Sequence, residues 1–223
     1  MSEIVKLKAK DGHELDAYVA RPAGEPIGGL VVVQEIFGVN HHIRSVADGF
    51  AKDGFLAVAP AMFDRFQRDV ELGYSGEDWQ IAMGYAQKIN IDDAVLDVSA
   101  ALDYVKKETG TKSGVVGYCF GGSMAWLAAA RLDPDVAVGY YGGYIPKFNY
   151  ENPRVPVMLH FGAKDEHIPL EGIEQVKAAH PEVEVYLYDA GHGFNCDERA
   201  SYNAESSKIA RERTVTFLKQ HMK

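Results

Sequence analysis

Residues 114–132 read GVVGYCFGGSMAWLAAARL. A short apolar, β-rich run ends in Gly-x-Cys-x-Gly and passes at once into a run of small and apolar helix formers. That is the strand, sharp turn and helix of a nucleophile elbow, with a cysteine where serine is usual. The reading is steric: the backbone bends tightly and the helix packs back on the strand, so the residues flanking the nucleophile must be small. Gly117 and Gly121 meet that need around Cys119. The start of the helix aims backbone N–H groups at the same point, where they can stabilise a thiolate or an oxyanion. Most free cysteines are simply small buried hydrophobes. In this setting Cys119 reads instead as a nucleophile.

Outward from the elbow, similar runs recur: GLVVV (29–33), FLAVA (55–59), VAVGYY (136–141), VPVMLHF (155–161) and VEVYLYD (183–189). Each is apolar on successive residues, as suits parallel strands buried on both faces. Helical stretches alternate with them at 42–54, 92–110, 123–132 and 171–180, and another at 206–220 closes the chain. The expected fold class is therefore α/β, with a mostly parallel central sheet and helices on both faces, in a single domain over 1–223. Segments EIVKLKA and ELDAYVA, joined by the turn KDGH, alternate polar and apolar residues and predict an antiparallel hairpin at one edge. Residues 64–90 break the rhythm with polar and aromatic residues, an excursion of the kind that covers a site.

A thiol nucleophile needs an imidazole, and the imidazole needs an orienting carboxylate. In an open parallel sheet the carboxyl ends of the strands face one crevice. Asp165 follows VPVMLHF, and His192, between two glycines, follows VEVYLYD. The order nucleophile, acid, histidine is that of α/β-hydrolases. His160 falls inside a buried run and reads as a core histidine; Glu166 and His167 read as loop residues beside Asp165. Glu35, at the end of GLVVVQ, is a further carboxylate facing the crevice. Phe37, Trp79 and Tyr141 are candidate walls of an apolar pocket, though Trp79 and Tyr141 suit a core equally well.

A net charge of −9 leaves no basic field for nucleic acid or an anionic membrane, so neither is an expected partner. The N-terminus lacks the unbroken apolar run of a signal peptide, and no stretch of about 18 apolar residues occurs, so the expected location is cytoplasmic. With only Cys119 and Cys196, two free thiols are expected there. No metal site is expected: there is no Cys-x-x-Cys pair, and the adjacent His41 and His42 point their rings in different directions.

Taken together, QEIFGVN, GYCFGG, the Asp of GAKDEHIP and the His of AGHGF resemble the motifs of the dienelactone hydrolase family, in the same order and essentially end to end. The resemblance implies an α/β-hydrolase fold and hydrolysis of a small ester or lactone, such as a carboxymethylenebutenolide, without metal or organic cofactor. Carried over by motif, Cys119 is the nucleophile, His192 the base, Asp165 its partner and Glu35 the carboxylate that helps activate the thiol. The backbone N–H groups of Ile36 and Phe120 form the oxyanion hole. The family also binds its substrate's carboxylate with two arginines. Here Cys196 stands at the first position, four residues after the histidine, and residues 69–87 contain no Lys or Arg. Arg65, or Arg68 beside it, is the expected substitute. The competing reading is a redox-active or ligand-binding thiol protein on the same fold, which would have no use for the Asp165–His192 pair.

Overall fold

The computed structural model describes residues 2–222. Eight strands form one sheet: β1 (Ser2–Lys8), β2 (Glu14–Ala20), β3 (Gly29–Val33), β4 (Leu56–Pro60), β5 (Ser113–Tyr118), β6 (Val136–Tyr140), β7 (Val157–Gly162) and β8 (Glu184–Tyr188). Their spatial order is β1-β2-β4-β3-β5-β6-β7-β8. The opening hairpin is the antiparallel edge, with β1 against β2 and β2 against β4; every other pairing is parallel. Strands β3 to β7 are buried along their whole length, which is why their side chains are apolar on both faces. Strand β8 departs from that expectation. It closes the far edge of the sheet, and Glu184 and Leu187 are exposed.

The helices are α1 (His41–Lys52), α2 (Gly76–Ala86), α3 (Ile91–Thr109), α4 (Phe120–Arg131), α5 (Leu170–Ala179) and α6 (Ala204–His221). Local chemistry sets their ends. The side chains of Asn40, Asn90 and Asn203 accept hydrogen bonds from first-turn N–H groups of α1, α3 and α6, and Gly110 ends α3 in the left-handed conformation. Helix α4 is buried on nearly all sides under the sheet, so its composition is apolar throughout. Helix α2 lies inside the 64–90 excursion and was not apparent from periodicity, because Ala82 is its only buried residue. None of the described helices is long and apolar enough to cross a membrane.

Candidate active site

Strand β5 runs into α4 through Cys119, whose φ of 54° and ψ of −114° lie where a non-glycine residue is strained. The neighbours explain how the bend is held. A Cβ on Gly117 would stand 1.9 Å from the carbonyl oxygen of Gly121, and one on Gly121 would stand 2.2 Å from that of Val33. Backbone hydrogen bonds from Cys119 to Tyr140 and from Gly121 to Gln34, both 3.0 Å, tie the turn to the strand ends on either side. The conformational cost, on the order of 1–3 kcal/mol, is offset by this packing and presents the thiol at the carboxyl end of the sheet.

The loops after β7 and β8 bring the partners. Nδ1 of His192 lies 2.7 Å from Oδ2 of Asp165, and Nε2 lies 3.2 Å from Sγ of Cys119. The other oxygen of Asp165 accepts the backbone N–H groups of His167 and Ile168 at 2.8 and 3.2 Å, which locks the carboxylate toward the imidazole. Burial alone would push His192 down. With the Cys119 sulfur as a negatively charged partner once it has lost its proton, and with hydrogen bonds to Asp165 and Cys119, the imidazole is instead pushed up to about 10. Tyr141 packs its ring 5.1 Å behind that of His192.

The thiol opens into a cavity of about 270 Å³ whose walls include Ile36, Phe37, Phe120, Trp79, Met83, Tyr144 and Arg199. Among the described residues, the N–H groups of Ile36 and Phe120 donate to no protein acceptor. Both residues line the cavity beside Cys119. Trp79, Met83 and Ala86 come from α2, so the 64–90 excursion does form one wall of the site.

Glu35 is fully buried, but it does not hydrogen-bond the thiol. Its Oε1 accepts from Nη1 of Arg199 at 3.2 Å, and its Oε2 is buried without a partner among the described residues. Arg199 also lies over the rings of Phe37 and Tyr74, with 5.7 Å from the guanidinium carbon to each centroid. Local sequence does not single out Arg199. It stands seven residues after His192 rather than four, in the polar run CDER, and only its partner Glu35, across the crevice, marks it out.

Two expected pocket residues lie elsewhere. Arg65 forms a two-pronged pair with Asp97 at 2.8 Å and a third bond to Asp11 at 2.7 Å. Asp97 is buried in the middle of α3 and needs a full counterion, so the guanidinium is consumed there and does not reach the cavity. Arg68, its suggested alternate, bonds Asp64 and the carbonyl of Glu14. Tyr141 is fully buried and does not line the cavity; it backs His192 instead. His160 is a core histidine, held between the hydroxyls of Tyr188 and Thr214.

A sequence model described as the dienelactone hydrolase family matches residues 15–222. Carboxymethylenebutenolidase from Pseudomonas putida is 33% identical, with 98% of this chain and 96% of the relative aligned. The carboxymethylenebutenolidase of Pseudomonas sp. (strain P51) is 30% identical, covering 99% and 96%. Among solved structures, a candidate dienelactone hydrolase from Klebsiella pneumoniae subsp. pneumoniae superposes with a TM-score of 0.86 at 28% identity, over 99% of both chains. A Pyrococcus furiosus esterase at 15% identity shares the fold, with a TM-score of 0.73 over 100% of this chain and 93% of its own.

Proposed function

The chain belongs to the dienelactone hydrolase family, and from that premise we propose that it opens a small ester or lactone through a thioester on Cys119. The observation that carries this reading is the continuous hydrogen-bonded line from Asp165 through His192 to Sγ of Cys119 at the floor of the cavity.

In the proposed cycle the thiol proton passes to Nε2 of His192 as Sγ attacks the carbonyl carbon. Negative charge then develops on the carbonyl oxygen, and the N–H groups of Ile36 and Phe120, which have no protein acceptor among the described residues, would donate to it. The tetrahedral adduct collapses, the ring or ester C–O bond breaks, and the leaving oxygen takes the proton from His192. With a lactone the leaving oxygen stays on the acyl group, so the ring opens without loss of a fragment. His192 next removes a proton from water, the hydroxide attacks the thioester, and the expelled sulfur recovers its proton from His192. Asp165 holds the ring in the orientation that both halves of the cycle require.

Arg199 supports a preference for substrates carrying a carboxylate beside the reacting bond. It is the cation on the cavity wall, its counterion is Glu35, and a substrate carboxylate would compete for the same guanidinium. Glu35 displaced in this way would be a buried carboxylate in search of a proton or donor, which is how it could assist thiol ionisation despite its present pairing with Arg199.

Turnover of an activated aryl ester, followed by mass spectrometry of the quenched protein, tests the proposal. The acyl mass should appear on the peptide containing Cys119. Cys119→Ala should remain folded, lose the adduct and lose turnover by on the order of 10³-fold or more. Wild-type turnover in a folded Cys119→Ala protein would overturn the reading. Stoichiometric thiol modification without turnover would favour a redox or binding role.

A further inference from the structure

We propose that His42, Cys196 and Asp197 form a binding site for a zinc ion, separate from the catalytic crevice. One donor atom from each of the three lies within 4.8 Å of the other two. His42 stands in the first turn of α1, while Cys196 and Asp197 lie in the loop between β8 and α6, so the cluster exists only in the folded chain. The adjacent His41 does turn the other way: it is exposed and pairs with Glu198. His42 is buried, with Nδ1 3.2 Å from Oδ1 of Asp197. Its Nε2 is buried and has no hydrogen-bond partner among the described residues. A buried imidazole whose Nδ1 faces Asp197, together with a buried thiol that the proposed reaction does not use, gathers three ligating groups of different kinds at one point.

The donor set selects the class of ion. One sulfur, one imidazole nitrogen and one carboxylate oxygen are too soft a combination for magnesium or calcium, which take oxygen ligands, and suit zinc. Three protein ligands leave a fourth tetrahedral position for water. A surface groove reaches His42 and Asp197, neither of which borders the catalytic cavity, while the buried Cys196 is not on its wall. On binding, an S–Zn bond replaces the S–H bond of Cys196 and the proton leaves to solvent. The ion would tie the start of α1 to the loop that carries His192 and Arg199, and so would hold both side chains of that loop in register with the crevice.

Cobalt(II), added to the full-length protein, gives a spectroscopic reading of the site through a thiolate-to-metal charge-transfer band. The expected result is a stoichiometric band in the wild type that zinc abolishes by displacement. It should persist in Cys119→Ala, which removes the only other thiol. Cys196→Ser and His42→Gln should each weaken binding by on the order of 100-fold or more, at or beyond what loss of an outer-sphere partner costs. Zinc should also raise the wild-type melting temperature and leave that of His42→Gln unchanged. If Cys196→Ser does not fold, His42→Gln decides the matter by the same two measurements. Absence of a band in the wild type, loss of the band in Cys119→Ala, or its retention in either folded Cys196→Ser or His42→Gln would overturn the site.

Discussion

His160 and His192 occupy neighbouring parts of the same half of the sheet and have opposite chemistry. His160 points from the middle of β7 into the core, where its nitrogens meet the hydroxyls of Tyr188 at 2.9 Å and Thr214 at 3.0 Å. Burial, reinforced by the positive charge of Arg213, drives it down to about 3. His192 stands past the end of β8 between a carboxylate and a sulfur that becomes anionic on losing its proton, and rises to about 10 although burial acts on it too. Burial disfavours the imidazolium in both places, so the difference lies in the partners. Hydroxyls satisfy a neutral ring; only groups that bear negative charge can repay its protonation. A histidine within a strand can meet only what the core allows, whereas one on a loop past a strand end can be aimed at charges brought from other strands.

The comparison breaks most sharply in activity. His192→Ala should reduce ester turnover by on the order of 10³-fold or more, since the proposed base and the thiol's hydrogen-bond partner both go. His160→Phe should leave turnover per folded molecule within about twofold and cost about 1–3 kcal/mol of stability through the hydrogen bonds it forfeits. Steady-state kinetics combined with urea unfolding distinguishes the two. A large kinetic defect in folded His160→Phe would mean that the core histidine is coupled to the site.

The arginines form a parallel pair, one at the crevice and one structural. Arg199→Met should lower kcat/KM for a lactone bearing a carboxylate by about 100-fold while changing an uncharged ester much less, because a charge-assisted contact is lost only for the former. Arg65→Ala, which unpairs Asp97 far from the cavity, should affect charged and uncharged substrates equally. The ratio of the two kcat/KM values is the measurement. A shift of that ratio in Arg65→Ala, or its constancy in Arg199→Met, would reverse the assignment.

A further difference between the two histidines shows in acid. Unfolded His160 takes up its proton near 6.5, but the folded protein holds the ring neutral down to about 3. Its contribution to stability is therefore complete above about pH 6.5 and is lost as pH falls toward 3, with a limiting slope of about 1.4 kcal/mol, or tenfold, per pH unit. Urea midpoints of the wild type and His160→Phe at several pH values should converge as the solution is acidified and cross before about pH 3 is reached. Curves that stay parallel would show that the buried ring is not the source of the slope.

The amino-acid sequence alone determined what depends on near neighbours. The pattern of GVVGYCFGGSMAWLAAARL sets a strand, a forced turn and a helix, because Gly117 and Gly121 act within five residues of each other. Asp165 and His192 were also legible, since strands in a parallel sheet end at a common edge whatever the separation along the chain. Helix α2 was not, because it rests on the body of the protein by little more than Ala82 and leaves Trp79, Ile81 and Met83 partly exposed, so no apolar stripe forms. Only the tertiary structure decided which arginine faces the cavity. Arg65 and Arg199 are alike in local sequence, but the first finds Asp97 and the second finds Glu35, 164 residues away. The same holds for His42, which meets not His41 beside it but Asp197, with Cys196 close by, across the fold. Charged and ligating groups answer to distance in space, and a counterion has no periodicity from which that distance could be read.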